Sequence, residues 1–332
     1  MNEDNKIKYS VVSLFSGCGG LDLGMEGGFN FLGKEYENLP FEILFANDIM
    51  PQACESLQIN FNSEVVCGDI KNLLDERPDI LPHSADVVIG GFPCQDFSVA
   101  GKRKGMTSER GNLYKQMKRV IELVKPKIFI AENVKGLTNL GDALSVITDE
   151  FSNASTKYEV DYEILMAPNY GIPQSRQRVF IIGVREDVAK KMKGKENKFK
   201  FPFPKHTHSI IDGNLPKWVT SKEAIDDLKN SGVDRQEEFS KAKRNKGQGN
   251  REIDPNKVSP TIRAEHHGNI EFHYDAKRRL TVRECARIQT FPDNFKFFGS
   301  ASNVYKQIGN AVPPILGWHI AKSVRKVLDE FA

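Results

Sequence analysis

The chain has 332 residues, of which 39% are hydrophobic and 27% are charged. This content is enough to bury one large core or two unequal cores, and it excludes a disordered chain. The formal net charge is only +3, which neither requires nor excludes a nucleic-acid partner, so any basic surface has to be local.

The cysteine pattern and the hydropathy of the chain predict a reducing, cytoplasmic setting. No apolar run approaches the roughly 18 residues of a membrane span, and the polar first residues (MNEDNK) are unlike a secretory signal. The cysteines are odd in number and scattered, without a C-x-x-C pair, which argues against a disulfide scaffold and a cysteine zinc site. They are Cys18, Cys54, Cys67, Cys94 and Cys285.

The first half of the chain alternates short β-branched runs with amphipathic stretches. The runs predict strands at residues 11–15, 41–46, 65–67, 86–89, 127–131, 163–167 and 179–184. Apolar residues at helical spacing predict a helix that begins at Leu113 and ends before Pro126. Strands that alternate with helices indicate an α/β protein with a doubly wound, mostly parallel sheet covered on both faces.

The pattern changes near residue 188, and this predicts a division into domains. Residues 189–276 are rich in lysine, proline and loop-forming residues, and we assign them to a smaller, loop-rich domain. Residues 277–302 are expected to form a hinge, and a final helix is expected over 311–328, behind Pro313 and Pro314. The main domain would then comprise residues 1–188 plus 303–332.

A glycine-rich loop, SLFSGCGG at 13–20, follows the first predicted strand and precedes a helix near Leu21. Asp48 and Asp69 end the next two strands, where acids contact a cofactor in doubly wound folds, although either could simply cap a helix. Because no Gly-Lys-Ser/Thr follows, the loop is not a dense phosphate cradle. A nucleoside cofactor without phosphate, such as S-adenosylmethionine, fits it better.

Cys94 lies in the string FPCQ at 92–95, directly after the fourth strand. Ligands bind at the carboxyl ends of strands in open parallel sheets, so this cysteine lies where chemistry is expected. The alternative is a buried structural thiol, which is the usual state of a lone cysteine.

Six strings together resemble the DNA cytosine-C5 methyltransferases. They appear in that family's order and cover most of the chain outside 189–276, so a chance match of all six is negligible. They are SLFSGCGG (13–20), FPCQ (92–95), ENV (132–134), QSRQR (174–178), RRLTVRECARIQTFP (278–292) and GNAV (309–312). The tetrapeptide that marks amino-methyltransferases is absent from the sequence.

The resemblance implies a catalytic set and a mechanism. Cys94 would add as a thiolate to carbon 6 of cytosine, which makes carbon 5 nucleophilic. Glu132 would act as the acid at ring N3, and for this its pKa should be raised. Arg178 would contact the cytosine O2, and Arg176 would help to hold the catalytic loop and the base.

The resemblance also implies a binding site for S-adenosylmethionine, whose product is S-adenosylhomocysteine. The expected contacts are Phe15 with adenine, Gly17 and Gly20 with the methionine end, and Asp48 with ribose. Asp69 would meet the adenine amine. The complete predicted set is Phe15, Gly17, Gly20, Asp48, Ile49, Asp69, Ile70, Pro93 and Asn310. Ile49 stands where many relatives carry an aromatic residue.

Duplex DNA is the implied substrate, and the target base must be flipped out of the stack before it can react. The basic, glycine-containing segment 96–111 is expected to form a lid over DNA, with Gln95, Ser98 and Arg110 as contacts. Residues 189–276 would read the sequence in the major groove, where Arg263 is a candidate for pairing with guanine or for contacting phosphate. No metal is expected.

We therefore interpret the chain as a DNA (cytosine-5-)-methyltransferase that acts as a monomer, with a restriction endonuclease as its companion in a restriction-modification system. One alternative is an RNA cytosine-C5 methyltransferase, which uses the same chemistry. The second alternative is a catalytically silent DNA-binding relative, against which the presence of Cys94, Glu132 and Arg178 argues.

Overall fold

The computed structural model describes residues 8–77, 79–93, 113–192, 199–244, 249–264 and 267–331. The predicted lid at 96–111 lies outside these residues. So do four of the predicted site residues, which are Cys94, Gln95, Ser98 and Arg110.

The described part of the chain forms a seven-stranded sheet with the strand order β5-β4-β1-β6-β7-β9-β8. The sheet strands are β1 (Tyr9–Leu14), β4 (Phe41–Asp48), β5 (Glu64–Cys67), β6 (Val87–Gly90), β7 (Ile128–Val134), β8 (Tyr158–Met166) and β9 (Gln177–Arg185). The first five of these are parallel to one another, and β9 is antiparallel to both β7 and β8. The predicted mostly parallel α/β sheet is therefore confirmed.

Helices cover both faces of this sheet. They are α1 (Gly20–Glu26), α2 (Pro51–Asn60), α3 (Ile70–Glu76), α4 (Leu113–Val124), α5 (Ala143–Ser152), α6 (Glu186–Met192), α7 (Ser221–Ile225), α8 (Val282–Ile288), α9 (Ala301–Asn310) and α10 (Pro314–Phe331). No helix of the described residues is long and apolar enough to cross a bilayer.

Alternation along the strands builds two hydrophobic layers, one on each face of the sheet. On β1, Val11 packs in the layer that contains α1 and α10, whereas Val12 and Leu14 pack in the layer beneath α3, α4 and α5. Successive side chains of a strand point to opposite faces, so a strand buried on both faces is apolar throughout. This explains why the β-branched runs located the central strands correctly.

Two features of the β-structure were not predicted from the sequence. A hairpin of β2 (Phe29–Phe31) and β3 (Lys34–Tyr36) follows α1, and its strands are too short to give a periodic signal. The second feature is the antiparallel β9, which enters between β7 and β8. Its connection from β8 spans only residues 167–176, which is too short for the crossover that a parallel strand requires.

Regular structure is sparse between residues 199 and 276 of the described chain. The helix α7 begins at a capping box in which Thr220 and Glu223 satisfy each other's backbone amides. Phe201, Ile253 and Ile262 are buried and belong to the same hydrophobic cluster as α1 and α10. The sequence-based division at residue 188 stays a prediction, and α6 runs across that position.

Candidate active site

The carboxyl ends of the five parallel strands meet along one edge of the sheet. Phe15 follows β1, Asp48 ends β4, Asp69 follows β5, Gly91 follows β6, and Glu132 lies near the end of β7. Because β9 is antiparallel, it begins at this edge, and Arg178 is its second residue. The sheet therefore brings together residues that are up to 163 positions apart, from Phe15 to Arg178.

Glu132 and Arg178 form a buried ion pair on the neighbouring strands β7 and β9. Arg178 Nε lies 2.7 Å from Glu132 Oε1, and the two side chains are 12% and 8% exposed. Burial raises the pKa of Glu132, and the positive charges of Arg178 and Arg176 only partly oppose this. The expected raised pKa of this carboxyl is thus found, together with the cation that orients it.

The segment that leads to Cys94 packs directly against Glu132. A Cβ atom on Gly91 would lie 3.0 Å from Glu132 Oε2, so the absence of a side chain lets the carboxylate approach the backbone. Asn133 donates a hydrogen bond from Nδ2 to the carbonyl of Phe92 at 3.0 Å. Pro93, the last residue described before Cys94, is exposed. Sequence reasoning assigned no role to Asn133, although it stands beside Glu132 in the ENV string.

Arg176 differs from Arg178 in being completely buried. Its guanidinium donates to three backbone carbonyls, those of Ile262 at 3.4 Å, Gly309 at 3.0 Å and Ala311 at 2.8 Å. Burial far from solvent lowers the pKa of Arg176, with the nearby charge of Arg178 adding to the effect. These contacts assign Arg176 a positioning role, because it joins the start of β9 to the segments around residues 262 and 310.

A chain of buried amide hydrogen bonds runs beside Arg176. Gln174 accepts from the backbone N–H of Ile262 at 2.9 Å and donates to Gln289 Oε1 at 2.5 Å. Gln289 in turn donates to the carbonyl of Ala311 at 2.5 Å. Both glutamine side chains are fully buried, so each hydrogen bond is costly to break. Gln289 was not predicted as a functional residue from the sequence. The one available signal was that a polar residue directly follows an otherwise buried helix.

The glycine loop is held in place by β4 and by the C-terminal GNAV string. The backbone N–H of Gly17 donates to Asp48 Oδ2 at 2.8 Å, and Phe15 and Gly17 adopt positive φ angles of 51° and 56°. A Cβ atom on Gly20 would lie 2.3 Å from the carbonyl oxygen of Val312, so only glycine permits this contact. The loop and the distant GNAV string are therefore adjacent, as the resemblance implied.

The two acids at the strand ends both bind backbone amides. Asp48 also accepts from the N–H of Met50 at 2.8 Å, and burial raises its pKa. Asp69 is the N-cap of α3 and accepts from the N–H of Lys71 at 2.9 Å. Asp69 therefore caps a helix, as the alternative interpretation held. The contact of Asp69 with adenine stays a prediction.

The remaining predicted cofactor residues differ in accessibility. Ile49 is 67% exposed and Asn310 is also exposed, so both can meet a ligand at this edge. Ile70 is only 2% exposed and packs in the core. Its contact with the cofactor stays a prediction.

Arg263 belongs to the loop-rich region, but its backbone lies close to Gly309 and Arg176. A Cβ atom on Gly309 would lie 2.5 Å from the carbonyl carbon of Arg263, which means that the two backbones touch. The side chain of Arg263 is partly exposed, and it directly follows Ile262, which Arg176 and Gln174 hold. Its role as a base-reading residue stays a prediction.

The donor set at this edge fits a nucleoside ligand that carries a positive charge. Above Gly17 there is open space within 4 Å, and Ile49 offers an apolar surface next to the Asp48 carboxylate. The buried carboxyl group of Asp22 behind the glycine loop has no cationic partner among the described residues, which favours a cation over a phosphate. Within the described ranges, no three His, Cys, Asp or Glu side chains are grouped so that they could hold a metal ion.

Comparison with known proteins agrees with this geometry. The model of the C-5 cytosine-specific DNA methylase family matches residues 9–326. The Type II methyltransferase M.NgoFVII of Neisseria gonorrhoeae is 36% identical over 353 residues, which cover 97% of this chain and 88% of that protein. The Type II methyltransferase M.Sau96I of Staphylococcus aureus is 35% identical over 350 residues, covering 97% and 77%.

Solved structures share the fold. A prophage-encoded protein of E. coli, described as a DNA modification methyltransferase, superposes with a TM-score of 0.64 at 26% identity, covering 97% of this chain and 100% of that one. The S. pombe Dnmt2 methyltransferase gives a TM-score of 0.60 at 19% identity, covering 98% and 99%.

The fold and the edge residues define a methyltransferase that uses S-adenosylmethionine. More specifically, the chain belongs to the C-5 cytosine-specific DNA methylase family and is a DNA (cytosine-5-)-methyltransferase. Its substrate is accordingly DNA, and its similar relatives are Type II enzymes, as the sequence motifs predicted.

Proposed function

We propose that the protein methylates carbon 5 of a flipped-out cytosine in a specific duplex DNA sequence through a covalent bond between Cys94 and carbon 6. The observation that supports this most is the buried Glu132–Arg178 ion pair, which packs against the backbone two to three residues before Cys94. The closeness of this acid and this cation to the backbone that leads to Cys94 supports the proposal that Cys94 is the nucleophile.

The proposed reaction begins with addition of the Cys94 thiolate to carbon 6. The electron pair of the 5,6 double bond shifts to the 4,5 position, the pair of the 3,4 double bond moves onto N3, and Glu132 donates a proton to N3, which leaves an enamine with a nucleophilic carbon 5. S-adenosylmethionine supplies an electrophilic methyl group to carbon 5. A base, for which water is a candidate, then removes the carbon-5 proton, the thiolate leaves as the 5,6 double bond re-forms, and N3 returns its proton to Glu132.

The surroundings of Glu132 support its role as the proton donor. Its pKa is raised by burial, so the carboxyl group can hold a proton at a higher pH than an exposed glutamate. In the proposed complex Arg178 donates to the cytosine O2 and keeps Glu132 oriented, whereas Arg176 positions the surrounding backbone without touching the base.

The proposed cofactor site lies over the glycine loop. Gly17 and Gly20 would contact the methionine end with Asn310, Asp48 would bind the ribose, and Phe15 and Ile49 would pack against adenine. The open space above Gly17 and the exposure of Ile49 and Asn310 support this arrangement.

DNA binding is assigned to the segments around this edge. We propose that residues 189–276 form the target-recognition domain, that 277–302 form the hinge, and that 1–188 with 303–332 form the catalytic domain. Segment 96–111 would close over the flipped base through Gln95, Ser98 and Arg110, and Arg263 would reach the DNA beside the active site.

The biological role follows from the relatives. Type II enzymes of 33–36% identity support a modification enzyme of a restriction-modification system, with a companion endonuclease that is not a physical partner. We propose that the enzyme acts as a monomer on DNA, and its predicted cytoplasmic location is part of the same proposal.

Trapping on a modified base tests the covalent step. Bisulfite sequencing of DNA from cells that express the chain first gives the target site. A duplex with 5-fluorocytosine at that site should form a stable adduct with the protein when S-adenosylmethionine is present, because fluorine cannot leave as a proton does. Mass spectrometry should locate the adduct on Cys94.

Matched variants complete the test. Cys94→Ser should lose nearly all turnover but retain cofactor binding, and Cys67→Ser, which changes an exposed thiol, should retain both. Near-normal turnover of Cys94→Ser, or an adduct on another side chain, would refute the assignment. Methylation of transfer RNA but not of duplex DNA would favour the RNA alternative, and no transfer to either would favour the silent relative.

A further inference from the structure

Asp22 is a buried carboxyl group behind the glycine loop, to which no role has been assigned so far. It lies in the first turn of α1, two residues after Gly20, and is only 1% exposed. Neither carboxylate oxygen accepts a hydrogen bond of normal geometry from the described residues. The Ser13 hydroxyl, which lies 2.8 Å from the Ser16 hydroxyl, is close enough to favour the ionised form.

The charged neighbours of Asp22 are acidic. Glu26 lies one turn later on α1, Asp48 faces it from β4, and the Cys18 thiol faces it from the loop. Lys306 on α9 acts on Asp48 and is not paired with Asp22. Burial, with smaller contributions from Glu26 and Asp48, raises the pKa of Asp22 to about 7. Among the residues that the structure describes, the group therefore has no cationic partner, and it is partly ionised near neutral pH.

An ionised carboxylate without a partner is unfavourable in the interior of a protein, so such a group is expected to be matched by a charge that arrives with a ligand. The proposed ligand of the adjacent loop exists in two charge states. The methyl donor carries a positive sulfonium, and the product after transfer is a neutral thioether. The rest of the two molecules, including the amino acid end, is the same.

We propose that Asp22 makes the cofactor site selective for the cationic methyl donor over its neutral product. This inference rests on the proposed cofactor site. The ionised carboxylate lowers the free energy of the bound sulfonium through the loop. When the methyl group leaves, the sulfur becomes neutral, Asp22 loses its counter-charge and takes up a proton from solvent, and binding of the product is weakened.

The test compares the affinities of S-adenosylmethionine and S-adenosylhomocysteine by calorimetry between pH 6 and pH 8. In the unmodified protein the preference for the donor should rise by about fivefold to tenfold over this range, an effect consistent with two charges at moderate separation. Binding of the donor near pH 7 should also release protons, measured in two buffers of different ionisation enthalpy. This second readout needs no variant.

Asp22→Asn should remove the pH-dependent part of the preference. The titration of the ligands themselves is the same with both proteins, so the difference between them isolates Asp22. Glu26→Gln is the control on the same helix, because Glu26 is a partly buried carboxyl group of α1 that accepts from the N–H of Ile43 at 3.3 Å, and it should change the preference less than twofold.

The outcomes separate this inference from the proposed function. If Asp22→Asn weakens the donor and the product equally, or if the preference does not depend on pH in the unmodified protein, the inference is wrong while the cofactor site stands. If neither ligand binds the unmodified protein at any pH, the proposed cofactor site itself is wrong.

Discussion

Glu132 experiences two opposing effects at the scale of a single residue. Removal from water favours its neutral form, and the charges of Arg176 and Arg178 favour its ionised form. Arg176 donates its hydrogen bonds to backbone carbonyls, so of these two arginines it is Arg178 that contacts the carboxylate directly. Burial therefore prevails, and the carboxyl group keeps the raised pKa that protonation of a ring nitrogen requires.

Glu132→Gln is expected to lower kcat by at least about a hundredfold, the usual size of a lost general acid. The amide keeps the shape of the side chain but cannot transfer a proton in the same way. S-adenosylmethionine affinity should change less than about twofold, since the glycine loop is left intact. Single-turnover kinetics and calorimetry measure the two quantities.

Glu163→Gln serves as the control for that variant. Glu163 also pairs in register with Phe180 of β9, but from the other side of the strand, and it is exposed. We expect its turnover to stay within about twofold of the unmodified enzyme. An equal loss in both variants would show that general electrostatics, and not proton donation by Glu132, limits the rate.

At the scale of elements, the buried amides of Gln174 and Gln289 connect four segments. They link the start of β9, the strand-like segment at Ile262, the end of α8 and the turn at Ala311 after α9. The segment at Ile262 carries Arg263, and the turn follows Asn310. The contact between the proposed DNA-reading and cofactor-binding elements thus depends on side-chain amides and not on the sheet.

Gln289→Met is expected to destabilise the protein by about 1–3 kcal/mol, because it removes two buried hydrogen bonds while keeping a similar volume. Gln174 retains a longer contact to the carbonyl of Ile288 at 3.3 Å, which limits the loss. We also expect kcat to fall about tenfold, since Arg176 shares the Ala311 carbonyl with Gln289. Urea unfolding and steady-state kinetics check the two effects.

Gln307→Met provides a comparison with the same chemistry at another place. Gln307 is also buried and makes two hydrogen bonds, to the Ser56 hydroxyl at 2.7 Å and the Phe298 carbonyl at 2.8 Å, but it contacts neither Arg176 nor Ile262. It should lose similar stability with little change in kcat. Equal kcat losses would mean that Gln289 acts only through stability.

At the scale of the whole molecule, the dependence of stability on pH reflects two carboxyl groups, the buried Asp22 and the partly buried Asp86, whose pKa values are shifted in opposite directions. The pKa of Asp22 is raised by burial, whereas that of Asp86 is lowered by Lys127 and by hydrogen bonds from Ser10. Lys127 Nζ lies 2.8 Å from Asp86 Oδ1. Ionisation of Asp22 therefore opposes folding, and ionisation of Asp86 favours it.

The Asp22→Asn variant without ligand should be more stable than the unmodified protein at pH 8, by up to about 4 kcal/mol. The advantage should shrink as the pH falls below about 7, the pKa of Asp22 in the folded state, and vanish below about pH 3, where Asp22 is protonated in both the folded and the unfolded state. Chemical unfolding at each pH measures this difference.

Asp86→Asn should show the opposite sign. Its loss of stability is greatest at neutral pH and disappears in acid, once the carboxyl group is protonated in the folded state as well. If both variants changed stability by amounts independent of pH, the assignment of these shifts to the two groups would be wrong.

The sequence alone determined the elements and the chemistry that depend on local order. β-branched runs located the central strands because strands buried on both faces are apolar throughout. The motif strings identified the family, and they predicted Glu132 and Arg178 as site residues one by one, because each predicted role requires one residue type in one string. The hairpin of β2 and β3 carried no such signal.

Only the tertiary structure decided which residues meet. The antiparallel course of β9 sets Arg178 beside Glu132, and neither strand shows this in its own sequence. Packing also gives different contacts to residues of the same type. Arg176 donates to backbone carbonyls, whereas Arg178 forms an ion pair with Glu132. Asp22 is buried without a hydrogen-bond partner among the described residues, whereas Asp69 caps a helix. Solvent exclusion and the approach of distant segments are properties of the packed chain, so they cannot be read from local order.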